Sequence, residues 1–309
     1  MKLAMVFPGQ GSQSVGMMNG YGDLPEIRRT IAEASDILGE DIGRLMAEGP
    51  AAELNRTVNT QPVMVTADVA VYRAWRALGG AAPEWVAGHS LGEYSALVVA
   101  GALSFEECLP LVRLRAAAMQ EAVPEGRGAM AAILGLDDAA VVSACEEAAQ
   151  GEVVEAVNFN APAQVVIAGH ADAVKRAMEA AKGRGAKRAL PLPVSAPFHS
   201  SLMAPAAARL KQALDKVTVR TPEIPVIHNL DAMTHSQPDS IRAALFGQAD
   251  HPVQWTQCIK AMASAGVTHV FECGPGKVLT PLSRRICADL QALALADREA
   301  LDQGLALNV

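Results

Sequence analysis

Two short apolar runs, each cut off by a glycine turn and each followed by a helical pattern, constrain this chain more than any other feature. Lys2 to Phe7 stops at Pro8, Gly9 and Gly11, and Trp85 to Ala87 stops at Gly88, with a helical segment from near Leu91. Between them, helical patterns run over Ile27 to Leu38 and over Pro62 to Leu78, where Val65, Val69, Tyr72 and Leu78 recur at helical spacing. A buried strand, a tight turn and a helix, repeated, is the rhythm of a mostly parallel α/β sheet. Later strands are expected at Pro225 to Asn229 and His269 to Glu272.

A different rhythm fills residues 128–192. Strands are expected at Ala129 to Leu134, Val153 to Val157, Gln164 to Ala168 and Ala186 to Leu192, with helices at Asp138 to Ala149 and Asp172 to Ala181. Asn160 and Pro162 fall in the loop between the second and third strands. The order is βαββαβ, a ferredoxin-like split unit. The expected organisation is therefore a large α/β subdomain made of residues 1–125 and 196–309, with a small ferredoxin-like subdomain inserted at 126–195. Arg298 to Val309 carry no pattern that assigns them a structure.

At 309 residues, half of them apolar, the chain can bury a sizeable core. The net charge of −7 argues against non-specific binding to nucleic acid or anionic membranes, and six Phe, three Trp and three Tyr are few for base-stacking platforms. Five scattered cysteines without a CxxC pair indicate neither a disulfide framework nor a zinc site, so a reducing compartment is expected. The apolar run before Pro8 is too short for a signal-peptide core, and no stretch matches a membrane span. A cytoplasmic protein is the expectation.

The chemistry centres on Gly88, His89, Ser90, Leu91 and Gly92. A GxSxG motif between a strand and a helix is a nucleophile elbow, whose glycines permit a sharp turn that lifts the serine hydroxyl clear of the backbone. The helix that follows aims its N-terminal N–H groups at any oxyanion formed there. A serine needs a base. Of seven histidines, His89 is turned away by the elbow, His170 starts a helix, and His228, His235, His251 and His269 lack a polar motif around them. His199, in Ala-Pro-Phe-His-Ser, sits where the inserted unit ends, on a rim between subdomains where pockets form. It is either the base or a histidine hydrogen-bonded in a loop.

The loop Pro8 to Gln13 offers backbone N–H groups that suit a phosphate or half of an oxyanion hole, but its glycine spacing does not fit a dinucleotide fingerprint. Gly274 to Lys277 lacks the spacing of a P-loop and reads as turn chemistry. Ser104 and Glu107 form a capping box that opens a helix running to Ala122 through Pro110, which removes a helical hydrogen bond. Arg113 and Arg115 lie about 200° apart on that helix, so one faces solvent while the other faces inward. An inward arginine needs an anion, either a structural acid or a substrate carboxylate.

These motifs together resemble the malonyl-CoA:acyl carrier protein transacylase family of fatty acid synthesis. The resemblance runs through FPGQGSQ at the start, NTQP at 59–62, GHSLGEYSALV at 88–98, MQEAVPEG at 119–126, NFNAPAQVVIAGH at 158–170, PFHSSLM at 197–203, PVQW at 252–255 and GPGKVL at 274–279. It implies an α/β-hydrolase-like catalytic subdomain and an acyl-carrier-protein S-malonyltransferase working by ping-pong chemistry through a malonyl-serine. By the same resemblance Ser90 is the nucleophile, His199 its base, the Gln248 carbonyl orients the imidazole, and the N–H groups of Gln10 and Leu91 form the oxyanion hole. Arg115 would pair with the malonate carboxylate, and Gln61, Met119 and Asn160 would line the acyl pocket. Phe198 would narrow the space at the α-carbon and disfavour methylmalonyl groups; one methyl is worth only ~1 to 3 kcal/mol.

The resemblance further implies no metal or redox cofactor and two partners, malonyl-CoA and a transiently docked acidic acyl carrier protein; a monomer is the expectation. Since this chain is acidic too, docking calls for a local basic patch, with Lys182, Arg184, Lys187, Arg188, Lys277, Arg284 and Arg285 as candidates. The alternatives are the same chemistry serving a malonate decarboxylase or polyketide pathway, a serine esterase, or a non-catalytic carrier-binding module.

Overall fold

The computed structural model describes residues 2–307. Its strands are β1 (Leu3–Phe7), β2 (Trp85–Gly88), β3 (Gly128–Leu134), β4 (Val154–Ala161), β5 (Gln164–His170), β6 (Arg188–Pro191), β7 (Val226–Ile227), β8 (His269–Glu272) and β9 (Gln291–Ala294). Five of them form a wholly parallel sheet in the order β7-β2-β1-β8-β9. β1 lies in the middle and is buried throughout. Because side chains alternate across a strand, Leu3, Met5 and Phe7 enter one hydrophobic core while Ala4 and Val6 enter another on the opposite face.

The remaining four strands form an antiparallel sheet in the order β4-β5-β3-β6, with the helices Asp138–Ala149 and Ala171–Gly183 packed on it around a core of their own. That strand order is the ferredoxin-like one expected from βαββαβ. β4 differs from expectation: it continues through Asn158, Phe159 and Asn160 to Ala161, leaving only Pro162 and Ala163 as the turn. Two register shifts against β5 accompany the extension. Hydrogen bonds from Val253 N to Val157 O (2.9 Å) and from Phe159 N to Val253 O (3.0 Å) tie this strand end to the rest of the protein. Asn160 thus stands on a strand rather than in a loop.

The helix expected from Pro62 begins at Thr57 and runs to Ala77. Burial of nearly every residue from Thr60 to Val71 outweighs the local bias of a proline against a helical residue before it. Phe105–Ala122 is capped as its sequence predicts, with Glu107 N donating to Ser104 Oγ (3.1 Å), and runs through Pro110. The uninterpreted tail holds a helix, Arg298–Ala306, capped by Asp297, with Gly304 close against the indole of Trp75. Helices at Ala204–Leu214, Pro238–Gln248, Trp255–Ser264 and Leu279–Ile286, and strand β9, were likewise not among the expected elements. Among the described residues, no helix is long and apolar enough to cross a membrane.

Candidate active site

The elbow after β2 forms because Gly88 and Gly92 have no side chain. A Cβ on Gly88 would lie 1.8 Å from the carbonyl carbon of Gly92, and one on Gly92 would lie 2.1 Å from the carbonyl oxygen of Phe7. Between them Ser90 takes φ 52°, a left-handed conformation costly for a side-chain-bearing residue. Asn229, just past β7, clamps the bend from both ends: its Oδ1 accepts from Ser90 N (2.6 Å) and its Nδ2 donates to Gly88 O (2.7 Å).

His199 also stands at positive φ, 65°, in the segment that leaves the small sheet. Its Nδ1 lies 2.8 Å from the main-chain oxygen of Gln248, so Nδ1 carries the proton and donates. Nε2 is then a bare lone pair, 2.6 Å from Ser90 Oγ, and accepts the hydroxyl proton. Burial, with the Arg115 guanidinium second, pushes the imidazole down to about 3, which keeps it neutral and ready as a base.

Arg115 is the inward-facing arginine. Arg113, on the other side of the helix, pairs with Glu40. The Arg115 guanidinium is 2 % exposed and donates to Gln61 Oε1 (2.9 Å), Gln248 Oε1 (2.9 Å) and Ser90 Oγ (3.2 Å), with the Tyr94 ring beneath it. No carboxylate lies within salt-bridge distance of it among the described residues. A buried cation held by neutral amides is built for an anion that arrives from outside. Burial lowers its pKa as well, although an arginine remains charged at any working pH.

Nine of the ten residues singled out in the sequence line one cavity of about 420 Å³: Gln10, Gln61, Ser90, Leu91, Arg115, Met119, Asn160, Phe198 and His199. Gln248 stands behind the wall and acts through its carbonyl and amide. The cavity lies between the C-terminal ends of the parallel strands and the small sheet, which contributes Met130 and Val166, with Leu192 and Val194 added by the segment that follows β6. The main-chain N–H groups of Gln10 and Leu91 both border it, and neither has an acceptor among the described residues. Of the seven basic candidates for a docking patch, only Arg285 lines this cavity; Lys182 and Arg184 are paired with Glu179 and Glu147, and Arg284 donates to Ala292 O.

Sequence reasoning overlooked Asn229, Glu93, His228 and the pocket role of His89. His89 lines the same cavity, and its Nε2 meets Asn160 Oδ1 at 2.7 Å. His228 has no polar motif around it in the sequence, yet it is fully buried against the equally buried Glu93, 2.8 Å away. The signal was there: His228 and Asn229 follow a strand beside the one that carries Ser90, and strand C-termini are where such sheets place their sites.

An acyl transferase domain family model matches residues 4–289. The chain is 55% identical over 307 residues to the malonyl CoA-acyl carrier protein transacylase of Escherichia coli K12, covering 99% of each. It superposes on the crystal structure of an acyl-carrier-protein S-malonyltransferase from Burkholderia pseudomallei 1710b with a TM-score of 0.97, at 59% identity and full coverage of both chains. A malonyl-transacylase solved in complex with its type II PKS acyl-carrier protein is also similar, at TM-score 0.98, 49% identity and full coverage.

Proposed function

Because this chain belongs to the acyl transferase domain family and matches malonyl CoA-acyl carrier protein transacylases along its whole length, we propose that it transfers malonyl groups from malonyl-CoA to the phosphopantetheine thiol of an acyl carrier protein through a malonyl-Ser90 ester. The observation that carries the reading is the meeting in one cavity of Ser90, His199 and a buried Arg115 that no carboxylate among the described residues salt-bridges.

Ser90 Oγ attacks the thioester carbonyl as its proton passes to His199 Nε2. The resulting oxyanion is received by the N–H groups of Gln10 and Leu91 at the start of the helix Gly92–Val99. The carbon–sulfur bond breaks, the imidazolium returns its proton to the CoA sulfur, and malonyl-Ser90 remains. In the second half His199 takes the proton of the carrier thiol, the thiolate attacks the ester, and Ser90 is released and reprotonated. One thioester is exchanged for another, which calls for no metal or redox cofactor.

Arg115 pairs with the malonyl carboxylate and so selects the cargo. That pairing also neutralises the charge that helps hold His199 acidic, so the bound substrate makes its own base more basic. Gln61 and Asn160, with the apolar Met119 and Phe198, bound the acyl pocket, and Phe198 biases it towards unbranched malonyl. We read residues 126–195 as an inserted subdomain, supported by a hydrophobic core separate from that of the parallel sheet. Five free cysteines, four of them buried, fit a cytoplasmic location.

The test is transfer itself. Incubated with malonyl-CoA and phosphopantetheinylated acyl carrier protein, the protein is expected to produce malonyl-carrier protein faster than free malonate. Free malonate as the dominant product would favour a serine esterase instead.

A further inference from the structure

Gln248 is a junction for all three central groups. Its main-chain oxygen accepts from His199 Nδ1 (2.8 Å), its Oε1 accepts from Arg115 Nη2 (2.9 Å), and its Nε2 donates to Ser90 O (2.9 Å). The same Nε2 donates to Glu93 Oε2 (2.9 Å), which also accepts from Asn229 N (2.9 Å); Glu93 Oε1 accepts from His228 Nδ1 (2.8 Å). Glu93 is fully buried in the first turn of the helix Gly92–Val99. Resting on the transacylase reading, we propose that Glu93 is a positioning residue that aligns Ser90 and, above all, Arg115 for malonyl transfer.

The reason is amide orientation. The terminal torsion of a glutamine is broad and roughly two-fold, so either end of the Gln248 amide can face the guanidinium. With its NH₂ turned to Arg115, donor would face donor. A carboxylate has only acceptors, so Glu93 can hold only the NH₂ end and thereby points Oε1 at Arg115. Asn229, which clamps the elbow around Ser90, is anchored by the same carboxylate oxygen. Glutamine at position 93 would keep that arrangement: its carbonyl oxygen accepts from Gln248 and Asn229, while its NH₂ donates to His228 in the other tautomer. Methionine, similar in size, has no comparable acceptor.

The test compares acylation of Ser90 by malonyl-CoA and acetyl-CoA, followed by intact-protein mass, in the wild type, Glu93→Met and Glu93→Gln. The ratio of the two rates does not depend on how much of a variant is folded. Glu93→Met is expected to lower the malonyl-to-acetyl ratio at least about tenfold, since the lost alignment falls on the group that recognises the carboxylate, and Glu93→Gln is expected to restore it. If Glu93→Met fails to fold, Glu93→Asp replaces it: a side chain about 1.5 Å shorter cannot reach both Gln248 and Asn229, and the ratio should again fall. An unchanged ratio in the Met or Asp variant, or a Gln variant as impaired as Met, would overturn the proposal. Absence of a malonyl adduct on the wild type would instead strike at the transacylase reading.

Discussion

Alanine in place of His199 is expected to slow malonyl loading about 10³- to 10⁴-fold, with Ser90 still present and the fold intact by thermal melting. Among the described residues, the imidazole is the one group within proton-transfer distance of Ser90 Oγ whose lone pair is free, because Gln248 fixes the other ring nitrogen as a donor. The pH profile gives a second reading of the same group. With His199 pushed down to about 3, its basic form survives through mildly acidic conditions. The specificity constant kcat/KM, which reports the free protein, should therefore stay flat as pH falls from about 8 to about 5. An acid limb near the ordinary histidine value of about 6.5 would show that burial and Arg115 do not control this base.

Replacing Arg115 by alanine is expected to lower kcat/KM for malonyl loading by about 30- to 4,000-fold, corresponding to the ~2 to 5 kcal/mol typical of removing one partner of a buried charge pair. Loading of acetyl should be spared or faster. Arg115 now donates to Ser90 Oγ and depresses the basicity of His199, and both restraints leave with it. Lysine at 115 should not rescue malonyl loading, because one ammonium on a flexible stem cannot reproduce the fork that holds Gln61 and Gln248 together. An equal fall for malonyl and acetyl would mean that Arg115 supports the site without reading the carboxylate.

Much of this is legible in local sequence signals. The glycines around Ser90 declare the elbow because no other residue fits there, and the 200° separation of Arg113 from Arg115 declares that one of them is inward. The βαββαβ order of the small sheet is written in its alternating patterns. Other features are set by partners remote in sequence. β4 extends through Asn160 because Val253 pairs with it, a contact invisible to periodicity. The buried Glu93 looks, in sequence, like any charge on the first turn of a helix; its role follows from His228, Asn229 and Gln248, which lie more than 130 positions away. The tail helix was legible in retrospect, since Asp297 is a strong N-cap and Leu301 and Leu305 share a face.

On the proposed function, the hydroxyl at the elbow becomes a malonyl ester held for transfer. Peptide mapping by mass spectrometry after brief exposure to malonyl-CoA locates that ester. A malonyl group on the Ser90 peptide, missing from Ser90→Ala and discharged when phosphopantetheinylated acyl carrier protein is added, is the predicted result. A malonyl group that persists in Ser90→Ala, or that maps to another residue, would mean that Ser90 is not the nucleophile.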